Sequence, residues 1–126
     1  MTNLIRPALL IDAAASAATA ALAIAGAKTL EGLLGIPSVV LHEAGLILAP
    51  YIVLVVIVAT RPQISTRAVW VIIACNAIWT AASFAILGFI SPNRLGLAFV
   101  IGQALAVAAL GVLQWAALRK SAISVA

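Results

Sequence analysis

Residues 9–26 read LLIDAAASAATAALAIAG, an apolar run with one acid, Asp12, near its start. How this run is read decides the fold, because its surroundings must account for that acid. A carboxyl group inside hydrocarbon is costly unless it is protonated, paired or close to water. On a helix, Ser16, Thr19, Ala23 and Gly26 share a face with Asp12, at spacings of 4, 3, 4 and 3. That stripe is small and polar from end to end. Small residues at this spacing let helices approach closely in a membrane. Asp12 is therefore expected to face protein rather than lipid.

The rest of the chain has the same character. Of its 126 residues, 66% are hydrophobic and 8% are charged. Mean hydropathy is +1.28, and a soluble domain carries about 25% charged residues. Such a chain has too little polar surface to cover itself in water, so its solvent is lipid. Four apolar segments follow one another, at 8–27, 38–60, 68–90 and 96–118. Each reaches about 20 residues, or roughly 30 Å of helix, the thickness of the hydrocarbon core. In lipid the backbone must satisfy its own polar groups, so the β-branched second segment also reads as helix.

The connections agree with this division. TRPQISTR at 60–67 and SPNR at 91–94 are polar breaks containing proline. Residues 28–37 form a longer, partly apolar outer loop. There Leu30, Leu33 and Leu34 are placed along the interface as a short amphipathic turn. Gly35 and Pro37 would end it, and Ser38 would cap the next helix. The first segment reads as a retained span rather than a cleaved leader. The closing RKSAISVA, 119–126, reads as a short solvated tail. The fold class is thus all-α: an integral membrane four-helix bundle in one domain.

The chain is basic, with seven Lys and Arg against three acids and a pI near 10.3. The bases stand singly at the ends of apolar runs, with no basic patch interleaved with aromatics, so nucleic acid is rejected as a partner. One side of the bundle would carry Arg6, Arg61, Arg67, Arg119 and Lys120. The other would carry Lys28 and Arg94 beside Glu31 and Glu43. This bias puts both termini in the cytoplasm. Trp70 and Trp115 then fall at the interface, while Trp79 lies mid-span and packs between helices.

Depth along the rods gathers the polar side chains. Asp12 and Gln114 lie roughly 6 Å from the cytoplasmic edge, Asn76 and Tyr51 roughly 12–13 Å, and Gln103 roughly 22 Å. Asp12, Ser16, Tyr51, Asn76 and Gln114 are the candidate intramembrane cluster. Ser83 and Gln103 share a depth in the outer half. Arg6 precedes Asp12 by six positions and sits on another side of the helix. Two readings compete for the cluster. Its side chains bond across helices and fix packing, for about 0.6 kcal/mol each. Alternatively, Asp12 loads and unloads a proton or cation. Pro50 removes one helix bond from the second span and predicts a kink. His42 and Glu43 stand together at the outer start of that span.

Cys75 is the single cysteine, so no intrachain disulfide or CxxC pair is possible, and it reads as a packing residue. One histidine and three acids give no ordinary four-ligand metal site within one chain, and no cofactor is expected. No nucleophile–base pair is visible either, so no enzyme is expected.

LLGIPS at 33–38, NAIWTAAS at 76–83 and GLAFVIGQALAVAALGVLQW at 96–115 resemble a group of small, uncharacterised four-helix bacterial inner-membrane proteins. The resemblance runs over nearly the whole chain and rests on pattern. It implies a fold and a compartment, the bacterial inner membrane, and no activity. In size and layout the chain is also similar to the small multidrug resistance transporters, which work as dimers around an acid in the first helix. Asp12 is the matching position. The chain departs from them in having Asp there, at a shallower position, with no aromatic-rich pocket in the first span and a long Gly-Ile-Pro loop. The expectation is a non-enzymatic accessory or assembly component, partnered by the lipid bilayer and by a second copy or another membrane protein. The alternative is a small proton- or cation-coupled transporter or exporter acting as a homodimer.

Overall fold

The computed structural model describes residues 4–125, with side chains up to Lys120. Its elements are five α-helices: α1 (Ile5–Ala25), α2 (Ala27–Leu34), α3 (Ser38–Thr60), α4 (Thr66–Ile86) and α5 (Arg94–Val125). Four of them, α1, α3, α4 and α5, are long and apolar enough to cross a membrane. Many large apolar side chains point outward, among them Leu10, Val39, Val53, Val71, Ile78 and Phe89. In water such a surface would aggregate; lipid is the solvent that matches it.

Helix ends follow local chemistry. Ser65 caps α4 by accepting from the Ala68 N–H at 3.3 Å. That helix stops at Ile86 and passes through turns at Leu87, Gly88 and Phe89 rather than continuing to 90. The fourth long helix runs on to Val125, through the stretch expected as a tail. Where an outer loop is expected at 28–37, residues 27–34 form α2 instead. It ends at Gly35, which adopts a left-handed φ of 70°. Glycine has no Cβ to oppose that conformation. Ser38 is no cap: Pro37 holds the N-cap position, and the Glu31 carboxylate accepts from the Ser38 N–H at 3.0 Å.

The helices pair unevenly. α1 packs mainly on α3 and α4 mainly on α5, whereas α3 and α4 barely touch. The α1–α3 approach is close because Gly45 lies against Ala23 of the small stripe and against its neighbours Ala20 and Ile24. One apolar core gathers Ile5, Leu9, Val55, Val58, Val69, Ile72 and Leu118, where α1 and α4 begin and α3 and α5 reach their last turns. A second joins Ala27, Leu34, Ile36, Leu41 and Val100 near the opposite end.

Two polar clamps secure the ends. The Arg6 guanidinium donates to the carbonyls of Ala59, Arg61 and Pro62, satisfying acceptors that the end of α3 leaves open. Asn93 joins α2 to α5: its N–H donates to Leu34 O at 3.0 Å, and its side-chain amide donates to Leu33 O at 2.8 Å. Its Oδ1 accepts from the Gly96 N–H at 2.8 Å. Gly96 is required there, since a Cβ would run into the Leu34 carbonyl oxygen.

Candidate functional site

The polar residues of the spans form two groups. In the first, Asp12 from α1 is 1% exposed, Asn76 from α4 is 3% exposed, and Gln114 from α5 is fully buried. Gln114 Nε2 donates to Asp12 Oδ2 at 2.7 Å. Asn76 Nδ2 donates to Gln114 Oε1 at 2.8 Å and to Asp12 Oδ2 at 3.3 Å. The Ser16 hydroxyl donates to Asp12 Oδ1 at 3.2 Å. The Tyr51 hydroxyl has one hydrogen and two acceptors in reach, Asp12 Oδ2 at 2.5 Å and Asn76 Oδ1 at 2.9 Å. The structure thus brings Asp12, Ser16, Tyr51, Asn76 and Gln114 into one network spanning all four long helices. Gly111 lies beside the Asn76 Cβ, which lets α5 come close enough for Gln114 to take part.

The second group belongs to α4 and α5. Gln103 Nε2 donates to the Ser83 hydroxyl at 2.9 Å, and Ser83 in turn donates to Trp79 O at 2.7 Å. The Trp79 indole N–H donates to Gln103 Oε1 at 2.8 Å, a role that its mid-span position alone does not reveal. Between the two groups along α4, the Thr80 hydroxyl donates to its own helix at Asn76 O, 2.9 Å away. Among the described residues, no buried side-chain nitrogen or oxygen lacks a partner. An unpaired polar group in hydrocarbon would cost several kcal/mol, so this complete pairing is what makes the interior tolerable.

Between the two apolar cores lies a cavity of about 630 Å³. All four long helices line it. Ser16, Tyr51 and Asn76 form one end of its wall and Trp79 and Gln103 the other, while Asp12 stands behind them outside the wall. The remaining wall is mostly apolar and includes Leu48, Pro50, Leu54 and Val107, with Thr19, whose hydroxyl bonds Ala15 O, among them. Cys75 is also a wall residue and is half-buried.

Other candidates lie apart. His42 and Glu43 are exposed and line a cleft with Lys28 beside α2. Arg119 stacks over the Trp115 ring at 4.9 Å. Among the described residues, no three His, Cys, Asp or Glu side chains gather as a metal centre would require.

Four membrane-length helices around a satisfied polar network define a small multi-pass membrane protein. Comparison with models of known families, with characterised proteins and with solved structures gives no match.

Proposed function

We propose that this chain is a non-enzymatic protein of the bacterial inner membrane, with both termini in the cytoplasm, serving as an accessory or assembly component for another membrane protein or a second copy of itself. The observation that carries this reading is the enclosure of Asp12. It is 1% exposed and receives hydrogen bonds from Ser16, Tyr51, Asn76 and Gln114. An acid that must load and unload needs a path to one side, and this one is packed shut. Its bonds instead select which helix faces meet. The excess of Lys and Arg on the side of the termini supports the orientation.

One observation favours a second reading, a proton- or cation-coupled transporter. The cavity wall contains three of the side chains bonded to Asp12, so one rearranged layer would connect the two. Flux in reconstituted liposomes separates these readings. The accessory reading expects no proton or cation flux above that of empty liposomes. Flux that disappears in Asp12→Asn would establish the transporter. Flux that survives Asp12→Asn would remove both the accessory reading and the proposed role of Asp12 in transport.

A further inference from the structure

The cavity's dimensions and walls define what can fill it. Its wall runs from Ile47 to Leu54 on α3 and from Cys75 to Ala82 on α4, seven residues apart in each case. At 1.5 Å per residue that is a length of about 10 Å. A volume of about 630 Å³ over that length gives a cross-section near 60 Å². One extended acyl chain is far thinner than this. The shape is short and broad, and the volume falls in the range of about 300–1,000 Å³ typical of drug-sized ligand sites.

Chemistry narrows the occupant further. The site sits in the middle of the spans, too deep for a lipid headgroup. The hydroxyl, amide and indole donors of Ser16, Thr19, Tyr51, Asn76, Trp79 and Gln103 along the wall already have protein acceptors, so no ligand hydrogen bond is demanded. Apolar cavities of this kind stay dry and take apolar guests. Trp79 contributes an aromatic side chain to the wall. Among the described residues, no Lys, Arg or His lines the space, and Asp12 stands just behind it, which disfavours an anion. A side door is present as well. α3 and α4 are the least packed neighbours, and the wall residues Ile47 and Ile78 are 61% and 68% exposed.

We propose that this cavity binds a compact, ring-bearing lipophile without negative charge, admitted sideways from the bilayer between α3 and α4. This goes beyond the accessory reading and does not depend on it, since binding requires neither flux nor any change at Asp12.

N-phenylnaphthylamine, a neutral aromatic lipophile that accepts energy from tryptophan, serves as the probe. Trp70→Phe and Trp115→Phe leave Trp79 as the sole donor in protein reconstituted into phospholipid vesicles. The expected result is saturable quenching of Trp79, with half-saturation weakened by about tenfold or more in Ala106→Phe, which fills the cavity. Ala82→Phe repeats the test from α4, should the first variant fold poorly. Quenching that merely follows partition of the probe into the bilayer, or that is unchanged in both filled variants, would overturn the proposal. So would a lack of quenching, as when a second copy seals the space. Quenching of Trp79 by brominated acyl chains that the probe cannot displace would assign the space to lipid tails and overturn it equally.

Discussion

Asp12 receives hydrogen bonds from all three other long helices as well as from its own neighbour Ser16. Bonds between membrane helices are individually weak, about 0.6 kcal/mol on average and up to about 1.7. What distinguishes this site is that several of them share one carboxyl group, so their effects should not add. In a double-mutant cycle, Asp12→Ala and Tyr51→Phe are expected to couple by about 0.5–1.7 kcal/mol. Thr60→Val provides the control, because among the described residues the Thr60 hydroxyl bonds only within α3, to Val56 O and Ile57 O. Its effect should add to that of Asp12→Ala within about 0.5 kcal/mol. Thermal unfolding in detergent measures both, and additive Asp12 and Tyr51 effects would refute a shared network. Much of this grouping was legible in the sequence, since helical rise converts position into depth and a 4-3 spacing converts it into a face. Trp79 was legible as a mid-span residue packed between helices but not as a hydrogen-bond donor to Gln103, because nothing local says which glutamine its indole N–H will meet. Arg6 read as a topology charge, and its work on the end of α3 depends on a contact 53 to 56 residues away.

At the scale of elements, the junction of α2 with α5 is the tightest constraint. Asn93 bonds Leu33 and Leu34 on one side and caps the start of α5 on the other. Gly96 permits that approach, because the Leu34 carbonyl occupies the space a side chain would need. Gly96→Ala is expected to destabilise the fold by about 1–3 kcal/mol, the usual cost of overpacking. It should also abolish hydrogen-exchange protection at the amides of Asn93 and Gly96. Gly102→Ala is the contrast, on the same helix with open space around it. It should be neutral, or stabilising by up to about 1 kcal/mol through helix propensity. Equal losses in the two variants would show that helix context, rather than the Leu34 contact, governs Gly96. The four long helices could be read from apolar length alone. α2 was harder to read, because eight residues with three leucines suit an interfacial turn and a short helix alike. Its end was legible in Gly35, whose left-handed conformation suits glycine. The cap of α3 was not, since the acceptor comes from Glu31, seven residues upstream of Ser38.

For the whole molecule, the arrangement is two packed pairs, α1 with α3 and α4 with α5, closed at both ends by apolar cores and left open between them at mid-depth. The cavity was not legible in the sequence, because an apolar side chain facing a void reads the same as one facing lipid or core. The orientation is a different kind of property, set by charge rather than by packing. The Arg6–Ala59 and Asp12–Gln114 contacts bring the start of α1 to the end of α3 and to the last turns of α5. The bases Arg6, Arg61, Arg119 and Lys120 belong to those segments and Arg67 to the first turn of α4, which follows the end of α3 after a short connection, whereas Lys28 and Arg94 lie near the α2 junction. A cell holding positive loops in its cytoplasm would seat the bundle with that richer end inward. Two exposed positions mark the two ends, Gln63 between α3 and α4 and Ser91 between α4 and α5. With Cys75 replaced by serine, Ser91→Cys should react with a membrane-impermeant maleimide on intact bacterial cells. Gln63→Cys should react only after the membrane is permeabilised. The reverse pattern would turn the protein over, and labelling of both positions on intact cells would mean that five bases against two do not hold it in a single orientation.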